Sequence, residues 1–410
     1  MKLIGPFSQI ISLEGIPLKG AIKDEQIRID KQAGILIDGQ FIKKIGNYHE
    51  LKAEFPSVKT EEIEGNQVLL PGFIDSHTHI CFGGNRSKDF AMRLNGKTYL
   101  EIAESGGGIW STVINTRNEP EEDLVHSTLK KTQHLLQNGI TTIEIKSGYA
   151  LAIDGELKML RAINSVQKQS QATILPTFLG AHMKARDFEG SNSDYLETLV
   201  QEVFPILKSE KLAKRVDIFT EQSAFSVEES RIYLQKAKSE GFDLTVHADQ
   251  FTPGGSRLAV ELGAVSADHL EFSGEEEIKL LANSTTVATA LPGASIGLGM
   301  RYTPARKLLD SGACLSIASD WNPGSAPMGD LLTQASILAT FEKLSMAEVL
   351  SGITFRAAKA LNLTDRGKLE NGKLADFISF PTSDFRDIIY HQGQLRPQNI
   401  WKNGEKITLK

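Results

Sequence analysis

Two histidines one residue apart, His77 and His79, stand where an apolar run ends in PGFIDSHTHICFGGNR. Alternate side chains of a β-strand point to the same face, so both imidazoles are expected on one side of the chain, roughly 6–7 Å apart at Cα. A pair of imidazoles at the end of a strand is either a structural accident or half of a metal site. The positions of the other reactive residues distinguish between these interpretations.

Histidines are concentrated at, or just beyond, the C-terminal ends of predicted strands. The histidines in such places are His77, His79, His182, His247 and His269. A single histidine there is better explained as a hydrogen-bonded core residue, but five together, with Asp320 ending another strand, favour a reactive site. The other four histidines, at positions 49, 126, 134 and 391, are interpreted as surface residues.

Three of these imidazoles and the carboxylate form a donor set that suits a divalent cation. The set is His77, His79, His247 and Asp320. Zinc and iron accept neutral imidazole nitrogen and carboxylate oxygen, zinc at about 2.0–2.2 Å. Such a cation lowers the pKa of water toward ~7. His269 is expected beside it as a proton carrier or oxyanion stabiliser.

Short apolar strands alternate with longer helix-like stretches, a pattern typical of a parallel sheet wrapped by helices. Eight candidate strands can be counted: VLLPGFID, ITTIEIKS, ATILPTFLGAH, VDIFTE, DLTVHAD, AVSADHLE, TVATALPG and CLSIASD. A (β/α)8 barrel of this kind collects its active site at the C-terminal ends of its strands. Residues 80–123 interrupt the alternation as a long excursion, and long barrel loops usually build sites.

Both ends of the chain are β-rich, with hairpin turns predicted at Asp38-Gly39 and Asn403-Gly404. We therefore predict an α/β protein in which the N- and C-terminal segments pair into a small β-sandwich beside a (β/α)8 TIM-type barrel. The predicted limits are 1–68 for the first part of the sandwich, 69–358 for the barrel and 359–410 for the second part.

The composition excludes several classes of function. The 410 residues are 40% hydrophobic and carry a formal net charge of −6, which gives no basic field for nucleic acid or an anionic membrane. No apolar run reaches the roughly 18–20 residues of a membrane span. The two cysteines, Cys81 and Cys314, argue against a disulfide framework and favour a cytoplasmic location.

Several motifs, taken in order, resemble those of the amidohydrolase superfamily and, more narrowly, of the imidazolonepropionase family. They are PGFIDSHTHICFGGNR, GGGIWSTV, TTIEIKSGYAL, FLGAH, VHADQF, ADHLEF and SDWNPGS. HTH alone is typical of the superfamily, whereas GGNR, KSGYAL and NPGS together indicate the narrower family. The resemblance implies a hydrolase of histidine degradation that opens the lactam C–N bond of 4-imidazolone-5-propanoate to give N-formimino-L-glutamate. It also implies a homodimer.

The resemblance further implies the residues of the site. One divalent metal, zinc or iron, is expected on His77, His79, His247 and Asp320, with His269 and Asp320 catalytic. Substrate contacts are expected from Arg86, Tyr149, His182, Gln250, Asn322, Gly324 and Ser325.

The chemistry of the implied substrate contacts fits a flat ring with a carboxylate tail. Arg86 offers a bidentate fork for the propionate; the alternative is an ordinary surface ion pair. Tyr149 can stack on the ring or hydrogen-bond to it; the alternative is rim packing. His182 is expected to bond the ring carbonyl or a ring nitrogen, its rival roles being metal ligand or core histidine.

Two features depart from the family pattern. Gln250 stands where some members carry glutamate, and because an amide cannot take a proton, Asp320 and His269 must share the proton transfers. After FLGAH the chain runs MKARDF instead of a proline-containing stretch, which leaves the shape of that loop open.

Two further features compete with this scheme. Many superfamily members bridge two metals with a carboxylated lysine, but here Lys146 is expected to form a salt bridge, to Glu144 or Glu221, beside a single metal. The stretch 106–108, three glycines, lacks the spacing of a phosphate-binding loop and is interpreted as a flexible rim loop near the substrate.

Two rival functions remain. A related deaminase acting on guanine, cytosine or a formimino compound would need the same metal residues but would have less need of Arg86. A non-catalytic barrel that serves as a scaffold would be expected to lose metal residues, and all four are present here.

Overall fold

Within residues 1–408, which the computed structural model describes apart from the side chains of residues 99, 100 and 103, the strands form two separate sheets. The strands are β1 (Lys2–Ile10), β2 (Asp30–Asp38), β3 (Phe41–Asn47), β4 (Lys59–Glu62), β5 (Val68–Pro71), β6 (Phe73–Asp75), β7 (Ile140–Lys146), β8 (Thr173–Ala181), β9 (Arg215–Thr220), β10 (Asp243–Ala248), β11 (Ser266–His269), β12 (Val287–Ala290), β13 (Leu315–Ile317), β14 (Phe377–Phe380), β15 (Asn399–Lys402) and β16 (Glu405–Lys406).

Strands β6 to β13 are parallel neighbours in chain order and close into a barrel. The closing contacts lie just beyond the first and eighth strands. There the Asp320 N–H donates to the His77 carbonyl at 3.0 Å, and the His79 N–H donates to the Trp321 carbonyl at 2.9 Å. The predicted (β/α)8 barrel is confirmed, and three of the candidate metal ligands stand on its closing seam.

The second sheet joins the two ends of the chain. Its order is β16-β15-β14-β5-β1-β2-β3, with β4 paired to β1. The antiparallel pairing of β5 with β14 brings Pro71 opposite Phe377. The rings of Phe7 and Phe377 pack against Trp401, with centroids 6.3 and 5.0 Å away. The predicted pairing of the terminal segments into a small β-sandwich is confirmed, as are the β2–β3 and β15–β16 hairpins.

The first predicted strand, VLLPGFID, is divided between the two sheets. Strand β5 belongs to the sandwich and β6 to the barrel, with Gly72 between them. A Cβ at Gly72 would overlap the side chain of Thr141, so the backbone crosses between the sheets where a side chain has no room. The domain limits 1–68, 69–358 and 359–410 stay a prediction, and residues 409 and 410 of the last segment lie outside the described residues.

Helices surround the barrel and fill its excursion. They are α1 (Tyr48–Glu54), α2 (Ser87–Leu94), α3 (Tyr99–Glu104), α4 (Ile109–Asn118), α5 (Glu121–Gln137), α6 (Ile153–Gln169), α7 (Asn192–Thr198), α8 (Phe204–Ser209), α9 (Val227–Ser239), α10 (Gly255–Leu262), α11 (Glu275–Ala282), α12 (Pro292–Leu298), α13 (Ala305–Asp310), α14 (Leu331–Glu342), α15 (Met346–Gly352), α16 (Phe355–Ala360) and α17 (Arg386–Tyr390). In the described part of the chain, no helix has both the length and the apolar character needed to cross a membrane. Helices α2, α3 and α4 occupy the predicted excursion.

Candidate active site

The metal ligands predicted from the sequence converge at the mouth of the barrel. The Nε2 atom of His79 lies 3.2 Å from Nε2 of His77 and 3.3 Å from Nε2 of His247. Asp320 Oδ1 lies 3.4 Å from His79 Nε2 and 3.6 Å from His77 Nε2. All four side chains are buried, so the site is largely sheltered from bulk water.

These spacings suit a single cation. Donors that surround one ion tetrahedrally at about 2.0–2.1 Å are about 3.3–3.4 Å apart, close to the measured separations. Three imidazoles and a carboxylate also match the ligands that zinc and iron accept. A second, overlapping group of His77, His269 and Asp320 has its ligand atoms within 4.8 Å of one another, which places His269 next to the same centre.

Carboxylates from neighbouring strands hold the outer nitrogens of two of these histidines. His77 Nδ1 hydrogen-bonds Asp268 Oδ2 at 2.7 Å, and His247 Nδ1 lies 3.0 Å from Asp217 Oδ2. An Nδ1–H directed at a carboxylate leaves the Nε2 lone pair for a metal. Sequence reasoning missed both aspartates, although an aspartate inside an apolar strand, as in VDIFTE and SADHLE, was a usable signal.

Burial keeps the clustered imidazoles neutral. It lowers the pKa of His77 and of His79 well below the ordinary value. Burial also lowers the pKa of His247 to about 4, although the nearby Asp217 carboxylate opposes this shift. A histidine must be neutral to bind a metal, so the pKa shifts agree with the geometry.

A fully buried charge network lies beside the cluster. Lys146 Nζ is 2.8 Å from Glu144 Oε1 and 2.9 Å from Asp217 Oδ2, and all three side chains are completely buried. Burial alone would lower the pKa of Lys146, but these carboxylates raise it. Of the two partners expected from the sequence, Glu144 is the one that pairs with Lys146, whereas Glu221 accepts hydrogen bonds from the loop after β10.

The backbone turns sharply at the two residues expected to move protons. His269 has φ +88° and Asp320 has φ +52°, values that are uncommon outside glycine and typical of functional sites. Burial raises the pKa of Asp320 to about 7, with His269 opposing. Burial lowers the pKa of His269, but Glu271, Asp320 and Asp268 outweigh it, so the pKa ends above the ordinary value.

The loop that carries Tyr149 is fixed from below by Glu156 on α6. The buried Glu156 carboxylate accepts backbone N–H bonds at 2.8 Å from Gly148 and from the two residues after Tyr149. Gly148 has φ +110°, and a Cβ there would lie 2.8 Å from the Leu179 carbonyl oxygen. The KSGYAL motif therefore forms a tight turn that places the Tyr149 ring at the site.

His182 contacts the cluster through its ring face. Its ring stacks on His79, with centroids 5.5 Å apart and an interplanar angle of 23°. Its Nδ1 lies 3.0 Å from the Gly148 carbonyl oxygen. Because that oxygen can only accept, Nδ1 carries the proton and Nε2 is an acceptor. Burial lowers the pKa of His182 to about 4, so the ring is neutral.

The turn after Asp320 is organised by Asn322. Its Oδ1 accepts the backbone N–H groups of Gly324 and Ser325, each at 2.8 Å, and its Nδ2 donates to the Asp320 carbonyl at 2.7 Å. The expected substrate-binding turn is therefore held in shape by one of its own members.

A cavity of about 250 Å³ joins these parts. Every site residue expected from the sequence, except His77, lines it. The lining residues that sequence reasoning missed are Asp89, Arg93, Lys97, Ile102, Ile109, Phe219, Phe251 and Leu298. Most of these lie in the excursion, whose length was the only signal that pointed to them.

Comparison with known proteins defines the class. Residues 68–407 match the model of the amidohydrolase family, in agreement with the barrel and its His/Asp cluster. An atrazine chlorohydrolase from Arthrobacter aurescens, crystallised with zinc, superposes with a TM-score of 0.71 at 17% identity. That alignment covers 100% of this chain and 95% of the other, and it shows a shared fold.

Curated relatives narrow the class. An imidazolonepropionase from Bdellovibrio bacteriovorus is 39% identical over 100% of this chain and 97% of its own length. An imidazolonepropionase from Fusobacterium nucleatum is 38% identical over 93% of each chain. The chain therefore belongs to the amidohydrolase family and, within it, to the imidazolonepropionases, which are hydrolases acting on the C–N bond of a cyclic amide.

Proposed function

We propose that the chain hydrolyses the lactam C–N bond of 4-imidazolone-5-propanoate and releases N-formimino-L-glutamate, a step of histidine degradation. The observation that carries the proposal is one cavity at the mouth of the barrel, lined both by His79, His247 and Asp320 of the cluster and by Arg86. The cluster supplies the reactive end of the site. Arg86 supplies a cationic partner for the carboxylate of the propionate chain, which extends away from the ring.

The proposed metal ligands are His77, His79, His247 and Asp320, with zinc or iron as the ion. A bound cation of this type polarises a carbonyl group and lowers the pKa of water. The neutral imidazoles and the 3.2–3.6 Å spacing of the donors support this assignment.

The substrate ring is placed by His182 and Tyr149. Since Nδ1 of His182 is committed to the Gly148 carbonyl, Nε2 accepts a hydrogen bond from a ring N–H and does not donate to the ring carbonyl. The Tyr149 ring, whose centroid is 5.5 Å from that of His182, stacks on the ring of the substrate. Gln250 lines the same cavity and is limited to hydrogen bonding, because its amide cannot take a proton.

Proton transfer is shared by Asp320 and His269. The Asp320 carboxylate lines the cavity beside the imidazoles of the cluster, where it can take a proton from the attacking water and return it to the departing ring nitrogen. His269, whose pKa is raised, donates a hydrogen bond to the oxygen that becomes negative as the ring carbonyl is attacked.

The proposal includes a cytoplasmic homodimer. Both cysteines are buried and unpaired, which suits a reducing compartment. The dimer is supported by the family resemblance.

A direct test mixes the zinc- or iron-loaded protein with fresh 4-imidazolone-5-propanoate and follows the loss of its ultraviolet absorbance. We expect acceleration far above the spontaneous decay, with N-formimino-L-glutamate as product. Decay at the spontaneous rate would reject the proposal. Release of ammonia from a purine or pyrimidine by the same protein would support the rival deaminase.

A further inference from the structure

Three charged residues of the excursion lie on one side of α2, a helix that lines the cavity. Arg86 immediately precedes α2, and Asp89 and Arg93 follow at spacings of three and four residues, which places them on a common face. All three line the catalytic cavity. The proposed function uses only Arg86.

Asp89 makes two short hydrogen bonds through one oxygen atom. Its Oδ2 accepts Arg86 Nε at 2.7 Å and the backbone N–H of Gly108 at 2.8 Å. The residue is only 6% exposed, so both bonds are sheltered from water, where charge-assisted bonds are strongest. The guanidinium group is thereby tied to the start of α4.

The three-glycine stretch is shaped to reach this carboxylate. A Cβ at Gly107 would lie 2.5 Å from Asp89 Oδ1 and 2.9 Å from the Ile102 carbonyl oxygen. Gly108 has φ +76°, a value that disfavours residues with side chains. In the stretch interpreted from the sequence as a flexible rim loop, Gly107 thus has a packing reason and Gly108 a conformational one.

Gly324 borders Arg86 on another side. A Cβ at Gly324 would lie 2.6 Å from Arg86 Nη1, so only glycine leaves room for the guanidinium there. Arg86 and Gly324 form one wall of the cavity. Arg93 anchors this wall by donating to the carbonyls of Gly324 and Gly297 at 3.0 and 2.7 Å. Within the described part of the chain, Asp89 is the one carboxylate paired with Arg86, which leaves the terminal nitrogens for a ligand.

We infer that Asp89 is a positioning residue for recognition of the substrate carboxylate, an inference that rests on the proposed function. Asp89 fixes the plane of the Arg86 guanidinium so that its terminal nitrogens meet the carboxylate as a fork. A side chain ordered in advance loses less freedom when the ligand binds. Asp89 also offsets part of the arginine charge, so its ordering and electrostatic effects on affinity have opposite signs.

The substitution Asp89→Ala separates these two effects. Ordering predicts that KM for 4-imidazolone-5-propanoate rises about 10- to 100-fold while kcat changes less than about threefold. Asp89→Asn keeps an oxygen acceptor without the charge and should give an intermediate rise. An unchanged or lower KM in Asp89→Ala would overturn the inference.

An analogue whose propionate is replaced by propionamide distinguishes positioning from general structural support. We expect Asp89→Ala to leave kcat/KM for this analogue within about twofold of the wild type, because no carboxylate then needs the fork. Equal losses on both substrates would contradict the inference. If Asp89→Ala does not fold, as judged by its thermal unfolding, Asp89→Asn carries the same comparison.

A double-mutant cycle with Arg86 provides a second readout. In an Arg86→Ala background, adding Asp89→Ala should change KM less than about twofold, because the two residues act as one unit. Independent, additive losses would contradict the inference. Glu210→Ala removes an exposed carboxylate paired with Arg161 and serves as the matched control with unchanged KM.

The inference and the proposed function fail in different ways. Absence of hydrolysis by the wild-type protein would reject the proposed function. Normal wild-type turnover together with an unaffected KM in Asp89→Ala would reject the role of Asp89 alone.

Discussion

The two halves of the active site are held in place by different means. The His/Asp cluster lies at strand ends, where Asp268 and Asp217 fix the outer nitrogens of its histidines. The wall around Arg86 lies on α2 and the turn after β13, and it depends on close approaches that Gly107 and Gly324 permit. The cluster thus depends on buried charged and imidazole side chains, whereas the wall depends on the Arg86–Asp89 pair and also on residues that carry no side chain. Changes in the cluster should abolish chemistry, and changes in the wall should alter recognition.

The largest effect is expected where a ligand of the cluster is removed. His247→Ala should lower the hydrolytic rate at least about 1000-fold, because the metal ion would lose one of its protein ligands and would bind and activate water less well. Initial rates and elemental analysis of the purified protein measure both consequences. The exposed His126 offers a matched control, since His126→Ala should leave rate and metal content unchanged. A His247→Ala protein with normal activity would show that the cluster is not the reactive centre.

The second-largest effect is expected from removal of a buried charge beside the cluster. Lys146→Met leaves Glu144 and Asp217 without their cation and should reduce the free energy of unfolding by about 3–5 kcal/mol. Denaturant unfolding of the metal-free protein measures the loss. Lys208→Met removes an exposed pair with Glu240 and should cost less than about 1 kcal/mol. Equal costs would mean that buried charge has no special weight in this half of the site.

The third-largest effect is expected from adding a single methyl group to the wall. Gly324→Ala should displace the Arg86 guanidinium and raise KM about 10-fold, with kcat nearly unchanged. Because the displaced atom ends a flexible side chain, the melting temperature should change little. Gly46→Ala is the control, since its Cβ would meet only Leu51 atoms at 3.8 Å or more. A fall in kcat without a change in KM would place Gly324 on the chemical side of the comparison.

The smallest effect is expected from loss of the Tyr149 hydroxyl group, at a residue that lies between the two halves. Tyr149→Phe keeps the ring and should lower kcat/KM less than about threefold, whereas Tyr149→Leu should lower it about 10-fold through lost stacking. Steady-state kinetics with 4-imidazolone-5-propanoate measures both variants. A loss in Tyr149→Phe as large as that in Tyr149→Leu would show that the hydroxyl group, not the ring, makes the contact.

The same division explains what could be predicted from the sequence. The period of two along a strand and a count of eight strands were enough to bring His77, His247 and Asp320 to one barrel mouth. Asp217 and Asp268 were visible as charges in apolar strands, but alternation does not say which histidine each one reaches.

The wall could not be predicted in this way. The orientation of α2 is set by contacts between distant parts of the chain, such as Arg93 with the carbonyl of Gly297. The prediction of a single strand for VLLPGFID was wrong at Gly72 for a similar reason. VLLPGFID reads as one apolar run, and only the packing of Gly72 against Thr141 divides it between two sheets.

The pairing of β5 with β14 has a consequence for biosynthesis. Strand β5 leads through Gly72 into β6 and then to His77, but its partner β14 leaves the ribosome only after all the barrel strands have been made. Pairings between such distant segments form slowly. Until β14 arrives, a nascent chain has an unpaired edge at β5, where another copy can add a strand. A chain interrupted before residue 377 would therefore be prone to aggregate even with its reactive residues complete.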